Sequence, residues 1–180
     1  MPIRNIIRLN VLLVLAVGIY GFLTDEPYWK AVGHGPNLYD YVFWFALALN
    51  GPSGFAAEYA AWFATSNGSD HDLQFVLQYG FWLLLLWVQW RLYDAAARYC
   101  IGHRSRETLL YLAAFAVAVL GGLAAYQGWV WGHRPMDVGF IDRYFWFVRI
   151  GGVALSGVVV FAHTQLVKAS RALPNEALKT

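Results

Sequence analysis

The chain has 180 residues, of which 59 % are apolar and only 13 % charged, and its net charge is +2. A soluble domain carries roughly a quarter charged residues, so this balance excludes an ordinary water-soluble fold and predicts an all-α integral membrane protein, one polytopic domain over 1–180. The small net charge argues against a nucleic-acid surface, and a lone cysteine, Cys100, excludes an internal disulfide and cysteine-built zinc or iron–sulfur centres.

A basic start, with Arg4 and Arg8, leads into the apolar run 11–23. We read a retained signal anchor over about 5–23, because no small-residue cleavage site follows closely. Arg4 and Arg8 can reach the headgroups by snorkelling. Segment 24–72 is polar at both ends and holds two apolar pieces, 38–49 and 55–64, separated by Asn50-Gly51-Pro52-Ser53-Gly54. Each piece is half a span and the Gly-Pro-Ser-Gly break opposes one continuous helix. Two short interfacial helices on the outer side are expected. A re-entrant hairpin is the alternative and requires its broken backbone to be buried in protein.

Further spans are predicted at about 73–93, 108–131 and 143–167, each near the 20 residues that a bilayer demands. The result is a four-transmembrane-helix bundle capped by the outer pair. In the third span Ala114, Ala118 and Gly122 recur at every fourth position, and in the fourth Gly152 and Ser156 repeat that spacing. Such stripes let helices approach closely. Arg149 lies one to two turns inside the fourth span, where it can snorkel outward, pair with Asp142 or meet a group of another subunit.

Arg91–Tyr111 is the basic stretch between the second and third spans. Together with the two termini it holds nine of the thirteen Lys and Arg residues, against four in the two outer segments. Lys and Arg are retained inside, so both termini and this loop are expected to be cytoplasmic. Composition rich in Ala, Gly and Leu points to a bacterial inner membrane.

Candidate chemistry is sparse. Of five histidines only His163 lies inside a predicted span, which opposes a bis-histidine haem. An outer metal site can be drawn from His34, His71, His133, Asp70, Asp72 and Asp137, with Asp70-His71-Asp72 its best fragment, but a hydrated helix start with Asp at the cap is the favoured reading. Gln78, Tyr79, Gln127 and Arg149 could line a quinone site. No GxSxG, HExxH or phosphate loop is present. No metal or cofactor is therefore predicted, with quinone or pigment as the alternative.

The run Asp94, Arg98, Gly102, Arg106-Glu107-Thr108, Tyr111 resembles the cytoplasmic loop of a membrane-protein family carried by integrating conjugative elements. The order of parts is similar too, from signal anchor through Pro27-Tyr28-Trp29 and His133-Arg134-Pro135 to a Lys-bearing end. Ala95 stands where that family has Gly, and the outer segment is shorter. The resemblance implies a setting in conjugative or type IV secretion DNA transfer, beside the coupling ATPase.

The expected function is a non-catalytic subunit that packs with other integral membrane proteins within the lipid bilayer and makes no direct nucleic-acid contact. Its cytoplasmic contact loop would present Asp94, Arg98, Arg104, Arg106 and Glu107. A quinone- or pigment-binding subunit of a redox or light-harvesting complex is the alternative. A small transporter or channel is a third reading, disfavoured because the spans carry few acids.

Overall fold

The computed structural model describes residues 3–23, 38–65, 71–132 and 140–177. They form α1 (Ile3–Leu23), α2 (Leu38–Ala64), α3 (His71–Cys100), α4 (Arg104–Gly132) and α5 (Phe140–Ala177), with no strand among the described residues. Among the described residues four stretches are long and apolar enough to cross a membrane: Ile3–Leu23, Asp72–Cys100, Arg104–Ala124 and Ile150–Arg171. They agree in number and order with the predicted spans. Chain contacts divide into two compact units, Arg4–Gln89 and Trp90–Thr180 with residues 1–3. Neighbours in sequence joined by short connections pack first, and α3 supplies residues to both units.

In the first unit α1 buries Ile6, Ile7, Asn10, Val14, Val17, Gly18 and Gly21 and turns Leu9, Leu12, Ile19 and Phe22 outward. The buried set recurs at three and four residues, one face of a helix. Gly18 lets α3 come close, since a Cβ there would lie 2.8 Å from a Tyr79 ring carbon. Trp82 and Leu86 are fully buried, and Trp82 meets Phe43 edge-on at 5.9 Å between ring centres.

α2 corrects the expectation of two short helices separated by a five-residue loop. Both halves are helical, but they join at one residue, Asn50 (φ −127°, ψ 27°). Pro52 falls in the first turn of the second half, where a missing N–H costs nothing. The joint is buried, with Asn50 at 0 % and Ser53 at 3 % exposure. Gly54 fits against Leu47 and Trp82, where a Cβ would come within 2.9 Å and 3.0 Å of their side chains.

In the second unit the expected loop 91–111 contracts to Ile101-Gly102-His103. Ala95, Ala96 and Ala97 carry α3 on to Cys100, as strong helix formers do. Gly102 adopts φ 97°, and the turn is closed by Ile101 N–H to the Ala97 carbonyl (3.0 Å) and His103 N–H to the Cys100 carbonyl (3.2 Å). A glycine at positive φ just past a helix end is the usual stop signal. α4 then packs along α5. α5 runs on to Ala177 instead of ending near 167, and Arg171 on this extension reaches the Ile101 and Arg98 carbonyls at 3.5 Å and 3.4 Å.

Candidate functional site

Polar side chains inside apolar helices must find partners or be held for use, and each unit holds one such group. In the first, Asn50 Nδ2 donates to Asn10 Oδ1 (2.8 Å) and to the Ala46 carbonyl (3.0 Å), while Asn10 Nδ2 donates to the Ile6 carbonyl (2.9 Å). Gln89 spans the break in α2, accepting the Ser53 N–H at 2.9 Å and reaching the Leu49 carbonyl at 3.4 Å. This network satisfies backbone that the kink sets free, which is a structural task.

The second group is different. Asp94, on α3, is 8 % exposed and His163, on α5, is 4 % exposed. Asp94 Oδ2 accepts from Arg98 Nε at 2.7 Å, and Asp94 Oδ1 lies 3.3 Å from His163 Nε2. Trp90 closes over the imidazole, edge to face, with 5.7 Å between ring centres. With Nε2 directed at a carboxylate, the proton of neutral His163 sits on Nε2 and Nδ1 carries the lone pair. Nδ1 is buried and has no hydrogen-bond partner. Such an orphan costs about 1–3 kcal/mol, and it leaves one acceptor ready for a donor that enters the site.

Toward the α3–α4 turn lies a basic end. The Glu107 carboxylate accepts from Tyr111 Oη at 2.9 Å and is paired with Lys168, and Gln165 Nε2 donates to Tyr111 Oη at 3.0 Å. Arg106 stacks over the Tyr99 ring at 4.5 Å. Arg104 is exposed and makes no side-chain hydrogen bond or ion pair among the described residues. Glu107 in the first turn of α4 also complements the helix dipole.

The contact loop inferred from sequence is therefore not one open surface. Asp94 is interior, Arg98 is tied to it, Glu107 ties α4 to α5, and Arg104 and Arg106 point outward. Helix continuation through 94–100 and from 104 onward puts successive residues on different faces.

The packing stripe shifts as well. Ala114 and Ala118 face α5, with Gly157 seated against the Ala114 carbonyl, but Gly121, and not Gly122, makes the next contact, 2.7 Å from Ala154 Cβ to a Cβ built there. Spacing of four then three follows the 3.6-residue turn, whereas every fourth residue drifts off the face. Gly122 is open, with nothing within 4 Å of its would-be Cβ. Gly152 and Ser156 are buried, and the Ser156 hydroxyl donates back to the Val153 carbonyl.

Arg149 lies in α5, but its side chain is outside the described residues, as are those of His71 and Gln127. Residues His34, Asp70, His133 and Asp137 are outside them altogether. Tyr79 is used in packing against Phe75 and Trp82. Among the described residues no three His, Cys, Asp or Glu groups are placed to share a metal. Sequence reading passed over Asn10, Asn50, Gln89 and the Asp94–His163 pair. The available signal was the polarity of isolated residues within apolar runs.

No protein-family model, curated protein or solved structure matches the chain.

Proposed function

We propose that the chain is a non-catalytic integral membrane subunit that seats against another membrane protein along α4. The observation that carries this reading is the outward stripe Val119, Gly122 and Tyr126, exposed and spaced at three and four residues, with open space over the glycine. Within lipid, apolar area alone does not drive helices together; a small residue that admits a neighbouring backbone does. Four spans with both termini in the cytoplasm of a bacterial inner membrane complete this reading. The resemblance of Asp94–Tyr111 to the conjugative-element family favours a DNA-transfer assembly as the setting.

Mass spectrometry of proteins that co-purify with the tagged chain from native membranes in mild detergent tests this. A coupling ATPase or secretion-channel protein, recovered with wild type and lost with Gly122→Leu, supports the reading. An unaccompanied wild-type chain defeats it.

The orphan Nδ1 of His163 beside Trp90 favours a second reading, a redox or light-harvesting subunit in which His163 Nδ1 accepts from a quinol hydroxyl or meets a pigment. Co-purifying cytochromes, dehydrogenase subunits or visible absorbance would replace the first reading with this one.

A further inference from the structure

A groove of about 480 Å³ runs between α4 and α5. It exists because the facing positions are small: Ala114, Ala118 and Gly157 bring the two backbones together, and the larger Phe115 and Phe161 stand on either rim. The volume falls within the roughly 300–1,000 Å³ of small-molecule sites. Only two side-chain oxygens line it, and both are committed. Thr108 Oγ1 donates to the Arg104 carbonyl at 2.9 Å, and Tyr111 Oη lies between Glu107 and Gln165. The wall therefore suits a hydrocarbon chain and offers nothing to a polar ring or a sugar.

Charge at one end of the groove selects what that chain is attached to. Thr108 marks this end, and Arg104 stands one helical turn before it on the same face of α4. On α5, Lys168 lies two turns beyond Phe161 on the same face. Arg104 has no partner among the described residues, and Lys168 shares Glu107 with Tyr111. Among the described side chains around these helix ends, five bases (Arg98, Arg104, Arg106, Lys168, Arg171) stand with two acids (Asp94, Glu107). That surplus of positive charge beside an apolar slot attracts an anionic amphiphile over a zwitterionic one. A transmembrane helix, about 10 Å across, would lie over the aromatic rim without filling the slot.

We infer that the α4–α5 groove is a binding site for an anionic phospholipid, one acyl chain lying against Ala118 and Gly157 and the phosphate held by Arg104 with Lys168. The inference rests on the proposal that the helices span a bilayer, but on no protein partner, and Gly122 lies one turn beyond the groove.

Native mass spectrometry of the delipidated full chain tests it, with phosphatidylglycerol and phosphatidylcholine of identical acyl chains offered at equal concentration. The expected result is one retained phosphatidylglycerol, preferred by about tenfold, as one or two basic contacts at a membrane surface supply. Arg104→Gln should reduce that preference to within about twofold while some chain binding persists. Val158→Phe, at an exposed lining position, should lower retention of both lipids and leave helicity and monodispersity unchanged; Thr108→Phe serves the same purpose at the mouth. Equal retention of the two lipids by wild type overturns the headgroup assignment. Undiminished retention in both filled variants overturns the groove. Retention of neither lipid by wild type, with no association with vesicles, tells instead against the membrane reading on which the inference stands.

Discussion

Gln89 accepts the backbone N–H of Ser53 at 2.9 Å across the break in α2, and the same side chain reaches the Leu49 carbonyl on the other side of the break at 3.4 Å. One amide thus takes up a backbone group on each side of the kink at Asn50. A helix can break inside an apolar bundle only if such groups are satisfied.

Replacing Gln89 by Leu removes both partnerships and keeps the volume apolar. Stability should fall by about 1–3 kcal/mol, the cost of stranding buried backbone polar groups. Gln78→Leu, at a half-buried position on the same helix, should stay within about 0.5 kcal/mol. Thermal unfolding midpoints in detergent distinguish them, and equal losses would remove the bridging role.

Gly157 and Gly151 make a matched pair on α5. An added methyl at Gly157 overlaps the Ala114 carbonyl, whereas at Gly151 it meets nothing within 4 Å. Gly157→Ala should therefore cost about 1–3 kcal/mol through overpacking, and Gly151→Ala should be neutral or slightly stabilising. The same unfolding assay reads both, and a tolerated Gly157→Ala would mean that α4 and α5 do not touch there.

For Asp94 and His163 the order of effects is informative. His163→Phe retains an aromatic ring for Trp90 and removes the unpartnered Nδ1 but leaves Asp94 Oδ1 facing an apolar ring, so gain and loss partly offset and its cost should be below that of Asp94→Ala. Asp94→Ala strands His163 Nε2 and frees Arg98, which is half exposed and can turn to water. The loss should be about 1–3 kcal/mol. A double-mutant cycle should give a coupling of about 0.5–3 kcal/mol. A coupling near zero would reduce the pair to mere proximity.

Orientation follows from charge. Reporter fusions after Arg104 and Thr180 should score cytoplasmic and a fusion after Ser69 should score periplasmic. A periplasmic Arg104 would reverse the arrangement and remove the basis for calling the basic end inner.

Much of the architecture was legible from residue type alone. Four apolar runs of bilayer length appear as helices in the predicted order, because hydrophobic length is a local property of the chain. The Asn50–Gly54 break was legible as a break for the same reason: proline and glycine act on their own backbone. Where the break lies was not. Asn10, Asn50 and Gln89 are separated by about 40 residues at each step, and nothing local announces that they meet. Likewise Arg98, Arg104 and Arg106 read as one basic loop, yet continued helix gives them separate faces.

The sequence by itself determined the number of bilayer-length apolar spans and the bias of basic residues toward one set of connections, since each depends on composition over a short window. Tertiary structure alone decided that Gly121 packs while Gly122 stays open. A one-residue difference is a 100° rotation about the helix axis, and the facing helix selects the side. It also decided that His163, an isolated polar residue in an apolar run, finds Asp94 sixty-nine residues away and keeps its second nitrogen free. Burial and partnership belong to pairs of helices, and no single stretch of chain encodes them.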